Sequence, residues 1–132
     1  LLPLLAIETS DNICGACVYF DDAKYFSSKI ILQHAHSEKL FEAIEFVLLQ
    51  SNISKTELKL IAISSGPGSF TGLRIGMSAA KGLAQSLSLP LVQVPTFEAL
   101  SLEISEFLPE KTLFSIANKV GRDEMYLSLI HI

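Results

Sequence analysis

The stretch Ser64-Ser65-Gly66-Pro67-Gly68-Ser69-Phe70-Thr71-Gly72-Leu73-Arg74 constrains this chain more than any other, because three glycines and a proline join an apolar strand pattern to a long helix of small residues. Glycine lacks Cβ, so such a junction can turn tightly, take positive φ and leave main-chain N–H groups open at the positive end of the next helix. Gly66, Gly68 and Gly72 therefore invite a phosphate. They equally fit a sharp strand-to-helix turn with no ligand, since the lysine of a Walker loop and the spacing of a dinucleotide fingerprint are both absent.

The elements around the junction follow from periodicity. Leu4–Thr9, Ile13–Phe20 and Lys24–Leu32 read as three short strands, separated by the turn signals Asp11-Asn12 and Asp21-Asp22. Next, His36-Ser37-Glu38 opens an amphipathic helix over Ser37–Gln50, with Ser37 as cap, Asn52 at its end, and Leu40, Phe41, Ile44, Val47 and Leu48 on one stripe. Ser54-Lys55-Thr56-Glu57 has the form of a capping box and leads into a strand over Leu60–Ser64. The helix after the loop, Thr71–Leu87, carries Gly72, Gly76, Ala79, Ala80, Gly82 and Ala84, so close packing must offset its glycines. A strand over Leu91–Val94 and a helix over Thr96–Leu108 follow, the latter capped by Thr96 and striped by Phe97, Leu100, Ile104 and Phe107. Leu113–Ala117 and Met125–Ile130 then form a hairpin around Asn118–Glu124.

A meander that switches into strand–helix–strand units implies an α/β fold with a mixed sheet, antiparallel over its first three strands and parallel beyond, with helices on its faces. Ligands of such sheets sit at the carboxyl ends of the strands. Glu8, Thr9 and Ser10, with Gly66, Gly68, Ser69 and Thr71, are thus the candidate cofactor-binding residues.

Composition narrows the partners. With 132 residues, 49% of them apolar, the chain can bury the core of one ordinary domain. A net charge of −4 and the lack of any Lys/Arg run exclude the basic face that tight direct RNA binding needs. Leu1–Ile7 is apolar, yet it is short, lacks a basic leader and runs into Glu8, so neither a signal peptide nor a membrane span is expected and the setting is cytoplasmic. Cys14 and Cys17 form a C-x-x-C without a second Cys/His pair, and read as reduced packing residues. His34 and His36 lack a third ligand, so no metal site is predicted.

Ala6-Ile7-Glu8-Thr9-Ser10, His36-Ser37-Glu38-Lys39-Leu40, the loop Gly66–Gly76 and Ala80-Lys81-Gly82-Leu83-Ala84, in that order, resemble the TsaB (YeaZ) family over about residues 4 to 100. The resemblance implies an actin-like, ribonuclease H-like (ASKHA) domain over residues 1–108. Residues 109–132 would begin a second, similar domain that the chain truncates. It also implies a non-catalytic accessory protein for threonylcarbamoyladenosine on tRNAs that read codons starting with A. Its partners would be a TsaD-like catalytic subunit and a TsaE-like ATPase, with a homodimer when the catalytic subunit is absent, tRNA reached only through the complex, and no membrane.

Two features depart from that pattern. Glu8 stands where most members have Asp, and Asn118-Lys119 with Glu124-Met125-Tyr126 matches the second domain's opening hairpin only loosely. The H-x-x-x-H pair of the metal-dependent TsaD does not occur, and no catalytic residue is assigned. The resemblance implies a four-helix contact through Ser37–Gln50 and Thr71–Leu87, for which Phe41, Ile44, Leu48, Leu73, Met77 and Ala80 are the candidate interface residues. No cofactor is expected, with weak nucleotide binding at the glycine loop left open. The alternatives are an ATP-binding phosphotransferase, with Glu8 and the loop on magnesium and phosphate, and a glycoprotease-like metallopeptidase.

Overall fold

The computed structural model describes residues 1–31, 37–119 and 124–131, so His34, His36 and the capping side chain of Ser37 lie outside the described residues. Three strands, β1 (Leu4–Glu8), β2 (Ile13–Asp21) and β3 (Lys24–Ile31), pair as an antiparallel meander. Helix α1 (Ser37–Ser51) ends at Asn52, whose φ of 56° takes the left-handed turn that asparagine tolerates. The Ser54 N–H donates to Glu57 Oε2 at 2.8 Å, holding a 3-10 turn that feeds β4 (Leu60–Ser64). Helix α2 (Phe70–Leu87), β5 (Leu91–Val94) and α3 (Thr96–Ser105) follow, then the hairpin β6 (Leu113–Lys119) and β7 (Met125–His131).

The main sheet has the order β3-β2-β1-β4-β5, with β4 parallel to both β1 and β5, as the switch from meander to crossover units requires. β6 and β7 form a separate two-stranded sheet. One face of the main sheet carries Leu5, Ile7, Cys14, Ala16, Val18, Ile61 and Ile63, and closes on Leu40, Ala43, Ile44, Val47 and Leu48 of α1 and on Ala80 and Ala84 of α2. These side chains are essentially removed from water, at roughly 1.5–3 kcal/mol for each large one, and they hold the fold together. Across the other face run rows set by register. Ser27, Cys17, Ala6 and Ala62 form one row, and Lys29, Gly15 and Glu8 another. The small residues there leave a cleft of about 610 Å³ beneath α3 and β6.

Helix α3 departs from expectation. It stops at Ser105, and Pro95 rather than Thr96 stands at its cap, because the Thr96 N–H is spent on the Gly66 carbonyl at 2.8 Å while the Pro95 carbonyl takes the first helical bond from Ala99 at 3.1 Å. The apolar stripe expected of it also stays largely uncovered, with Phe97 buried but Leu100 and Ile104 exposed, and Phe107 falls beyond the helix at 83% exposure.

Candidate functional site

β1 and β4 run in parallel, with Ile7 opposite Ile63, so Glu8 and Ser64 emerge side by side at the carboxyl end of the sheet. Ser64 Oγ donates to Glu8 Oε1 at 3.0 Å and accepts from the Thr9 N–H at 3.4 Å, while the Ser10 N–H donates to the same carboxylate oxygen. The turn after β1 is thereby fixed from two sides. Its Ser10 carbonyl accepts from the Ser69 N–H at 2.6 Å, and Ser69 in turn caps α2 by accepting from the Gly72 N–H at 3.2 Å. Glu8 and Asn118 are half-buried in the cleft wall, and Asp11, Lys29 and Glu103 line it from exposed positions.

The glycines of the loop have a local explanation. Gly66 sits at φ +97°, a conformation L side chains rarely adopt. A Cβ on Gly68 would collide with the Ser10 carbonyl, one on Gly72 with the Thr9 carbonyl oxygen, and one on Gly76 with Thr9 Oγ1. The main chain of α2 thus lies against the β1 turn, with Gly72, Gly76, Ala80 and Ala84 as its buried row. The sequence-predicted set is in part brought together: Glu8, Thr9, Ser10, Gly68 and Ser69 meet at this turn, Gly66 lies at the base of the loop, and Thr71 faces away. Ser64, which joins Glu8 to Thr9, is the residue sequence reasoning missed. Its signal was its place as the last residue of a strand parallel to β1.

The helix pair presents a second feature, a groove of about 570 Å³ lined by Phe41, Thr71, Arg74, Ile75, Ser78 and Ala79. Phe41 is 43% and Phe70 74% exposed, and the Arg74 guanidinium lies 5.2 Å from the centre of the Phe70 ring. Of the predicted interface residues, Ile44, Leu48 and Ala80 are buried in the chain's own core, which corrects their assignment to a partner contact. The physical reason is that the most regular apolar stripe of a helix turns to its own sheet. Leu73 and Met77 are half-buried, so Phe41 is the predicted residue that opens most to solvent. Of the small residues of α2, Gly76 and Ala80 serve the approach to the sheet, as burial inside the same domain requires, and Gly82 meets nothing within 4 Å.

Cys14 and Cys17 are free thiols on opposite faces of β2, and burial pushes both pKa values up, which suits packing residues. Among the described residues no three His, Cys, Asp or Glu side chains gather as a metal site, and no helix is long and apolar enough to cross a membrane.

The model of the family described as TsaD, tRNA N6-adenosine threonylcarbamoyltransferase, matches residues 28–120. A Buchnera aphidicola (subsp. Schizaphis graminum) relative described as tRNA threonylcarbamoyladenosine biosynthesis protein TsaB is 31% identical over 90% of this chain and 57% of its own length. The protein of that description from Haemophilus influenzae is 30% identical over 98% of this chain and 54% of its own. The chain belongs to the TsaB (YeaZ) family. The solved structure of YeaZ from Pseudomonas aeruginosa superposes with a TM-score of 0.84 at 24% identity, covering 98% of this chain and 59% of that one. The fold is therefore the ASKHA-like one expected of TsaB (YeaZ) members, and the chain spans about half the length of the curated relatives it matches.

Proposed function

We propose that the chain acts in tRNA threonylcarbamoyladenosine biosynthesis as a non-catalytic subunit that docks onto a TsaD-like catalytic subunit through α1 and α2. The observation that carries this reading is the outward groove between these helices, where Phe41 and Arg74 open to solvent with the exposed Phe70 ring beside Arg74, on a pair whose α1 also leaves Phe46 and Leu49 exposed. Exposed aromatics and arginine are the residue types that anchor protein interfaces. The non-catalytic role is supported by the strand-end turn, where Glu8 Oε1 is taken by Ser10 and Ser64, and the glycines by contact with Thr9 and Ser10. The names of the relatives support the pathway.

On this reading a TsaE-like ATPase joins the assembly, tRNA is met only within it, the setting is the cytoplasm, and two copies pair through the same groove when the catalytic subunit is absent. The hairpin β6–β7 begins a second unit, a role supported by its separate sheet and by Leu113, Met125, Leu127 and Leu129 standing exposed on one face. Co-expression of the full chain with a tagged TsaD-like subunit tests the proposal. Wild-type chain is expected to be retained on the tag, and Phe70→Asp to be lost from it. Retention of Phe70→Asp at the wild-type level would refute docking through this groove.

A second reading, nucleotide binding in the ASKHA manner, is favoured by the cleft alone, whose volume and lining of Glu8, Asp11, Lys29 and Asn118 would admit a nucleoside. Calorimetric titration of ATP with magnesium tests it, and a flat titration removes it.

A further inference from the structure

The cleft and the helix groove are joined by one chain of hydrogen bonds. It starts at the Glu8 carboxylate in the cleft wall, passes through the Ser10 N–H to the Ser10 carbonyl, crosses to the Ser69 N–H at 2.6 Å, and ends where Ser69 Oγ accepts from the Gly72 N–H in the first turn of α2. Ser64 braces it by donating to Glu8 and accepting from Thr9. That first turn carries Phe70 and Thr71 and leads into Arg74; Thr71 and Arg74 line the groove, and the Phe70 ring lies 5.2 Å from the Arg74 guanidinium.

We propose that Glu8 is a positioning residue whose carboxylate, through Ser10 and Ser69, sets the first turn of α2 and thereby the partner-facing end of the groove. The inference rests on the docking role proposed above only for its consequence, since the placement of the turn is a property of the chain by itself. Three features support it. The carboxylate oxygen collects two donors, Ser10 N–H and Ser64 Oγ, from two different strand ends. The Ser10 carbonyl lies directly against Gly68, so the turn and the helix start cannot shift independently. The Ser10 N–H lies two residues on from Glu8, the spacing at which a side-chain carboxylate holds a turn, as Asp21 does in accepting from the Ala23 N–H at 2.9 Å. Bonds to an ionised acceptor are the stronger kind, so loss of this one is expected to be felt along the chain.

The test is hydrogen exchange of the full chain, comparing wild type with Glu8→Ala, Glu8→Gln and the core variant Val47→Ala. Glu8→Ala is expected to speed exchange at the Ser69, Gly72 and Leu73 amides at least tenfold, while the α1 amides 43–48 change less than twofold. Glu8→Gln keeps a side-chain carbonyl acceptor and is expected to stay within threefold of wild type at all of these sites. Val47→Ala, which loosens the core itself, is expected to lack that selectivity. Unchanged exchange at 69–73 in Glu8→Ala, or a uniform rise like that of Val47→Ala, would overturn the proposal. Should Glu8→Ala not fold, Ser64→Ala removes one of the two donors and is read by the same selective rise or its absence.

Affinity for the TsaD-like subunit is measured on the same variants together with Arg74→Glu. Weakening of at least threefold by Glu8→Ala, with Glu8→Gln near wild type, supports the consequence for docking. No weakening by Glu8→Ala alongside strong weakening by Arg74→Glu overturns that consequence and leaves the docking role intact. If Arg74→Glu is also without effect, the docking role is what fails, and the exchange data alone decide the placement of the turn.

Discussion

Gly72→Ala separates the two reasons a glycine can stand in this loop. If the residue is there for a ligand, an added methyl leaves stability untouched or improves it, because alanine is the better helix former by about 1 kcal/mol. In the structure the new Cβ would run into the carbonyl oxygen of Thr9, a main-chain atom in a turn pinned by Glu8, Ser64 and Ser69. Forcing atoms into a packed site of this kind costs roughly 1–3 kcal/mol and more where the backbone must move, so a gross cost of about 3 kcal/mol outweighs the helix gain and leaves a net loss of about 2 kcal/mol. That is about a 30-fold shift in the folding equilibrium and a fall of roughly 6–12 °C in Tm for a chain of this size. Gly82→Ala is the internal control, since the same substitution in the same helix meets nothing within 4 Å. It is expected to stabilise by about 0.5–1 kcal/mol. Urea unfolding followed by circular dichroism reads both. Equal midpoints for Gly72→Ala and Gly82→Ala would refute the packing explanation.

Other expectations rest on separate observations. Gly66→Ala, at φ +97° and with its Cβ 3.0 Å from Leu73 Cδ1, is expected to lower stability by about 1–2 kcal/mol in the same urea assay. Cys14, buried with its thiol pKa raised, is expected to react with a thiol reagent at pH 8 far more slowly in the native chain than in urea, and equal rates would contradict its place in the core. The Ser54 backbone N–H holds the Glu57 carboxyl below the ordinary glutamate range. A depressed carboxyl pKa gives stability that is present above the unfolded value and lost as pH falls through the folded one. Glu57→Gln is therefore expected to flatten the acid side of the stability–pH curve at unchanged Tm slope above it, and an unaltered curve would remove the cap's contribution.

Much of the fold is legible in the residues. The apolar run of β1 and the three-and-four spacing of Leu40, Ile44, Val47 and Leu48 write strand and helix directly, though Phe41 of the same stripe stands 43% exposed, and the switch from meander to crossover connections writes the parallel half of the sheet. Orientation is less legible. The spacing of Ile44 and Leu48 marks an apolar stripe, but a stripe looks the same whether it meets its own sheet or another subunit, and here it meets the sheet. The three-glycine loop fits a phosphate cradle and a bare turn equally well in sequence for a similar reason: Gly68 and Gly72 are small because Thr9 and Ser10 lie over them, a contact some sixty residues away in sequence. The Ser64–Glu8 bond depends on strand register, which sequence spacing alone does not fix.

The central claim is that the exposed end of the α1–α2 groove docks a homologous subunit, and titration of the full chain against the TsaD-like subunit tests it most directly. The Phe41→Asp/Arg74→Glu double variant, altered only at exposed positions, is expected to keep the wild-type Tm and to bind at least a hundredfold more weakly. Binding by that variant at wild-type strength would contradict the account.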